Sequence, residues 1–73
     1  MAEPVLYAVM PPTGQRIEVL AHDVVEALGF AFEALGVRRT LIPSALGQRS
    51  ETWLVEHVET GSRVAPNVFE LPS

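Results

Sequence analysis

The sequence contains no cysteine. No disulfide can staple the chain and no thiolate can hold a metal. Lysine is absent as well. All five basic residues are arginine, set against nine acidic ones, for a formal net charge of −4. A general nucleic-acid binder presents a basic face to phosphate, so this balance argues against that class while leaving room for one local arginine patch. No long apolar run occurs. The most hydrophobic stretch, residues 23–36, is interrupted by Glu26 and Glu33, which makes it too short and too charged to span a bilayer. The opening residues carry no basic segment, and Glu3 and Pro4 follow Met1 closely, so no signal peptide is expected. A soluble, cytoplasmic protein is expected. Asparagine occurs once and isoleucine twice, while alanine, valine, leucine, glycine and proline are frequent. That usage suits a GC-rich coding sequence, and a bacterial or phage origin is expected from it; for a phage protein the compartment would be the host cytoplasm.

What is present suffices for a folded domain. Hydrophobic residues make up 48% and charged residues 19% of the chain, which excludes disorder on composition. Seventy-three residues make one domain, 1–73. A chain of this size buries only about 60% of its unfolded surface, so the core must work hard or a partner must contribute. The first four residues are expected to be flexible, and residues from about 65 to 73 to form an extended tail, with Val68-Phe69 pairing at an edge or covering the helix.

The organising element is a helix over Asp23–Gly36, DVVEALGFAFEALG. Asp23 suits the N-cap and Glu26 stands three residues on, the spacing of a capping box. Gly36 can take the left-handed conformation that ends a helix, with Arg38 and Arg39 just beyond. At about 100° per residue, Val24, Leu28, Phe32 and Leu35 form one stripe with Val25 on its edge. That stripe is the expected core face. Ala27, Ala31 and Ala34 form a second, shallow strip, with Phe30 beyond it near the glutamates. A helix this apolar tends to have protein on more than one side. Phe30, Ala27 and Ala34 are therefore candidate partner contacts.

Ahead of the helix, Val5–Met10 reads as a strand, apolar on both faces and so central in its sheet. Pro12 suits the first central position of a type I turn, and Gly14 the left-handed position that closes a hairpin onto a second strand, residues 15–21. After the helix, residues 37–42 read as a third strand that ends at Pro43, and residues 43–50 as a loop. Residues 51–59 admit strand or helix. Threonine, tryptophan and two valines favour the strand. Thr60-Gly61 repeats the turn chemistry of Thr13-Gly14. The expected fold is α+β, a single helix packed on a small antiparallel or mixed sheet. The order of hairpin, helix, strand, strand is similar to that of a β-grasp, or ubiquitin-like, domain. The Gly-Gly ending of the conjugated and sulfur-carrying members is missing from Leu71-Pro72-Ser73, so the resemblance implies no carrier role here.

No residue set names a chemistry. His22 and His57 have Asp23, Glu56 and Glu59 as sequence neighbours, but a metal site needs three or four converging ligands. In a strand, His57 and Glu59 share one face and Glu56 the other. Ser44 or Ser50 with His57 lacks a nucleophile elbow. The loop after Pro43 has one glycine and no lysine, so it is no P-loop. No cofactor, no metal and no enzymatic activity are expected. Arg38, Arg39 and Arg49 flank the third strand and are candidates for binding a partner's carboxylate or phosphate groups. The expected role is a non-enzymatic regulator or inhibitor bound to a larger bacterial assembly, RNA polymerase being the first-named candidate. The alternatives are a self-assembling, homo-oligomeric subunit of a phage particle, and a β-grasp-type carrier or small enzyme.

Overall fold

Three chain reversals build the molecule: a tight hairpin, a helix, and a long bent hairpin. The computed structural model describes residues 3–43 and 49–71. Strand β1, Val5–Met10, turns through Pro11–Gly14 into β2, Ile17–Ala21. The Gly14 amide donates to the Pro11 carbonyl at 3.0 Å, and Gly14 stands at φ +90°, the positive value that its lack of a side chain permits. Helix α1 follows, Val24–Leu35.

Both ends of α1 are stopped by side-chain and backbone chemistry written in the sequence. At the N-cap, the Asp23 carboxylate accepts from the Glu26 amide at 2.8 Å. The return arm lands one residue early: Glu26 Oε1 accepts from the His22 backbone amide at 3.2 Å. At the other end Gly36 adopts φ +66°. Its amide donates to the Glu33 carbonyl, and the Val37 amide to the Phe32 carbonyl, each at 3.1 Å. This pair of bonds is a Schellman motif, which satisfies carbonyls the helix would otherwise leave open.

After α1 come β3 (Arg39–Thr40), β4 (Ser50–Thr52), β5 (Leu54–His57), β6 (Arg63–Val64) and β7 (Asn67–Glu70). Residues 51–59 thus resolve largely as strand, and 37–42 contract to a two-residue one. Two antiparallel sheets form, ordered β2-β1-β5-β6 and β3-β7-β4. The expected α+β architecture with one helix on antiparallel structure holds. The antiparallel structure is divided between these two sheets, and the β-grasp likeness extends only to element order. β1 is central, as its two apolar faces imply.

One bent hairpin joins the two sheets. Ser50 pairs with Phe69, Thr52 with Asn67, Val55 with Val64 and Glu56 with Arg63, all in one continuous register. The bend comes at Trp53, whose amide donates to the Pro66 carbonyl at 3.1 Å. Pro66 has no amide to give back, so the ladder breaks there and the arms swing from one sheet into the other. The tail expected from about 65 therefore contains β7, the middle strand of the smaller sheet, with Val68 fully buried. The loop expected over 43–50 lies largely outside the described residues.

The core gathers Tyr7 and Val9 of β1, Ala21 of β2, Leu28 of α1, and Trp53 and Val55 of the bent hairpin. Trp53 and Phe32 meet edge to face at 5.1 Å between centroids, a favoured aromatic geometry. The helix face differs from the expected stripe. Ala27, Leu28 and Ala31 are its buried residues, while Val24, Phe32 and Leu35 flank them and Val25 is 64% exposed. The buried arc has turned toward the alanines because methyl side chains let the helix axis approach the sheet closely. Ala27 is therefore a core residue and not a partner contact. Among the described residues, no helix is long and apolar enough to cross a membrane.

Candidate functional site

The outer flank of α1 is set by where its inner flank goes. Phe32 points at Trp53, on the β5 side of the larger sheet. Two residues along a helix turn the side chain by about 200°. Phe30 therefore projects from the opposite flank, and α1 packs chiefly on β2 and β1. The flank that carries Phe30 is thus turned away from β5, on the β2 side of the helix. Phe30 is 42% exposed, and Gly29, Glu33 and Ala34 around it are exposed as well. Glu26, half-buried, holds His22 through Nδ1 at 2.9 Å on the rim. Of the helix residues expected to meet a partner, Phe30 and Ala34 stand on this surface together, and Ala27 does not.

Strand β2 ends its sheet among the described residues. Which of its backbone groups face outward follows from its neighbours. The Val58 amide donates to the Leu6 carbonyl at 3.2 Å, so Leu6 hydrogen-bonds toward β5. Antiparallel ladders alternate sides, so Val5, Tyr7 and Val9 hydrogen-bond toward β2. Their partners are Ala21, Val19 and Ile17. Glu18 and Leu20 are left with amide and carbonyl aimed out of the edge. The Leu20 side chain lies on the sheet face away from the helix and is 61% exposed.

That outer face carries a charge network the sequence gives no cue to. Arg16 approaches Glu18 at 3.2 Å and Glu56 at 3.6 Å, and Arg63 donates to Glu56 at 3.1 Å. Glu18 and Glu56 flank Ala8 in register, one from β2 and one from β5. The network closes over that small residue and leaves it fully buried. Only strand pairing brings these positions together.

The three candidate arginines cluster around the end of β7 but differ in role. Arg39 Nε donates to Glu51 Oε1 at 3.2 Å, Nη2 lies at 3.2 Å from the same oxygen, and Nη1 donates to the Arg38 carbonyl at 3.1 Å. With every guanidinium nitrogen engaged, Arg39 clamps β3 to β4 across β7 and is not a free contact. Arg38 and Arg49 are exposed, and their carbonyls accept from the Leu71 and Glu70 amides at 3.0 Å each.

His57 packs edge-on against Tyr7, at 5.3 Å between centroids, and its Nδ1 accepts from the Thr60 amide at 3.3 Å, closing the turn after β5. That acceptor role puts the proton of the neutral ring on Nε2. Glu56 faces Arg16 and Arg63, and Glu59 lies in the turn. Ser50 is exposed on β4, while Ser44 lies outside the described residues. Among the described residues no group of three or more His, Asp or Glu side chains converges to hold a metal, and no pocket is enclosed. Trp53 Nε1 is buried without a hydrogen-bond partner among them. Comparison with family models, curated proteins and solved structures gives no match to this chain.

Proposed function

We propose that the protein is a non-enzymatic binding module, a regulator or inhibitor that acts by stoichiometric contact with a larger bacterial assembly in the cytoplasm, and that α1 supplies the contact. The observation that supports this reading is the exposed helix flank of Phe30 and Ala34, with the aromatic ring 42% exposed. Aromatic residues in shallow apolar surroundings with a charged rim are where binding energy concentrates. Glu26 and Glu33 form such a rim here. RNA polymerase is the first target to test, an analogy of kind drawn from small acidic bacterial and phage chains rather than from a residue match.

The test uses Phe30→Ala and purified bacterial RNA polymerase. We expect the variant to keep its folding stability within about 1 kcal/mol. We expect it to lose about 2 kcal/mol or more of binding, roughly thirtyfold in affinity. A large stability loss with normal binding by the folded fraction would end the role of this flank and move attention to Arg38 and Arg49.

A further inference from the structure

We propose that a second copy of this chain occupies the Phe30 flank, through antiparallel pairing of β2 with its own counterpart about a two-fold axis at Val19. The proposal rests on the flank being a protein contact surface; the second copy covers it in the free protein, and a larger partner bound through Phe30 would have to displace that copy.

The backbone supports it first. The outward amides and carbonyls belong to Glu18 and Leu20, derived above from the Val58–Leu6 bond. A two-fold axis perpendicular to the sheet keeps faces matched and pairs residues about one centre. With that centre at Val19, all five residues of Ile17–Ala21 overlap. Glu18 then lies opposite Leu20 of the second copy, and Leu20 opposite Glu18. These are the residues whose polar groups point outward, so the narrow hydrogen-bonded pairs fall where donors and acceptors already are.

Charge selects the same register. Centred at Val19, no two carboxylates and no two guanidinium groups stand opposite: Glu18 meets leucine, and Arg16 meets His22, which Glu26 holds at 2.9 Å. Moving the centre to Glu18 would set two carboxylates face to face, which is destabilising, and would shorten the overlap.

Spacing gives the third argument. The same axis puts both helices on one face of a continuous eight-stranded sheet. Each helix sits over β1 and β2, so their axes fall about two strand spacings apart, roughly 10 Å. That is the ordinary distance of packed helices, about 8–10 Å. Phe30 lies near the middle of α1 as Val19 lies in the middle of β2, so the two rings meet close to the axis. Ala34, a small residue beside Phe30, leaves room for that approach.

Sedimentation equilibrium of the full chain from about 1 μM to about 1 mM, a range spanning weak to moderate self-association, reads the outcome. The expected mass rises from the 8.0 kDa of one chain to twice that value. Leu20→Pro removes an amide that bonds no other group among the described residues, so the sheet should persist by circular dichroism while dimerisation weakens at least about tenfold. Phe30→Ala should weaken it as well. Should Leu20→Pro fail to fold, hydrogen exchange on the unmodified protein decides: the Glu18 and Leu20 amides slow as concentration rises. A mass fixed at one chain throughout, or a dimer that survives both substitutions with Glu18 and Leu20 exchanging fast, overturns the proposal. A monomer that still binds RNA polymerase through Phe30 would end this inference and leave the preceding one standing.

Discussion

Leu28→Ala is the most direct test of how the helix sits. Leu28 is fully buried and is among the largest fully buried side chains, in a core shared with Val9, Val55 and Val68. The change removes three carbon atoms. At about 0.8 kcal/mol per buried methylene, the transfer loss is about 2.4 kcal/mol. A cavity term adds to this because strands β1 and β5 are held in ladders and cannot collapse freely, which brings the expected cost to about 3–4 kcal/mol, inside the observed range for such substitutions. Alanine's better helix propensity returns only a few tenths. A domain of this length has a total stability on the order of 4–11 kcal/mol. The substitution therefore removes a large part of it. Urea denaturation followed by circular dichroism measures the change, and an unchanged slope would show that the midpoint shift reports stability. Val25→Ala serves as control, since Val25 is 64% exposed in the same helix; its effect should stay within about 0.5 kcal/mol. A loss under about 0.5 kcal/mol for Leu28→Ala, or equal losses for the two, would refute the buried arc of Ala27, Leu28 and Ala31.

Ala31→Leu should cost about 1–3 kcal/mol by overpacking against the sheet, whereas Ala34→Leu should leave stability nearly unchanged; similar losses in denaturation would mean the helix is turned differently. Val68→Ala should destabilise by about 1.5 kcal/mol or more, two buried methyl groups plus a cavity, and a neutral result would return residues 67–70 to the status of a tail. Arg39→Ala should cost about 1 kcal/mol through the lost half-buried pair with Glu51, while Arg38→Ala should be close to neutral; the reverse order in thermal melts would contradict the clamp across β7.

Local chemistry was legible in the residues. The helix needed only its own caps, Asp23 with Glu26 at one end and Gly36 at the other, because a cap satisfies backbone groups within one turn. The first hairpin needed only Pro12 and Gly14, since the turn sets the conformation of its own residues. β1 could be read as central because both its faces are apolar. Phe30 and Ala34 could be picked out as a surface because their helical angle separates them from Leu28.

What tertiary structure decided were matters of long-range pairing. The alanines at 27 and 31 look like a weak strip in the sequence, yet they face the sheet, because close helix–sheet approach rewards small side chains in a way periodicity cannot express. Arg39 reads as a surface cation until β7 comes between β3 and β4 and sets Glu51 beside it. Residues 67–70 read as a tail because their strand has no local partner; they are held on one side by residues 50–52 and on the other by 39–40. The bend at Trp53 depends on Pro66, thirteen residues on, having no amide to offer. A backbone hydrogen bond stabilises a strand only once its partner is in place, so such a strand cannot be identified from its own residues, whereas a helix and its caps carry their partners with them.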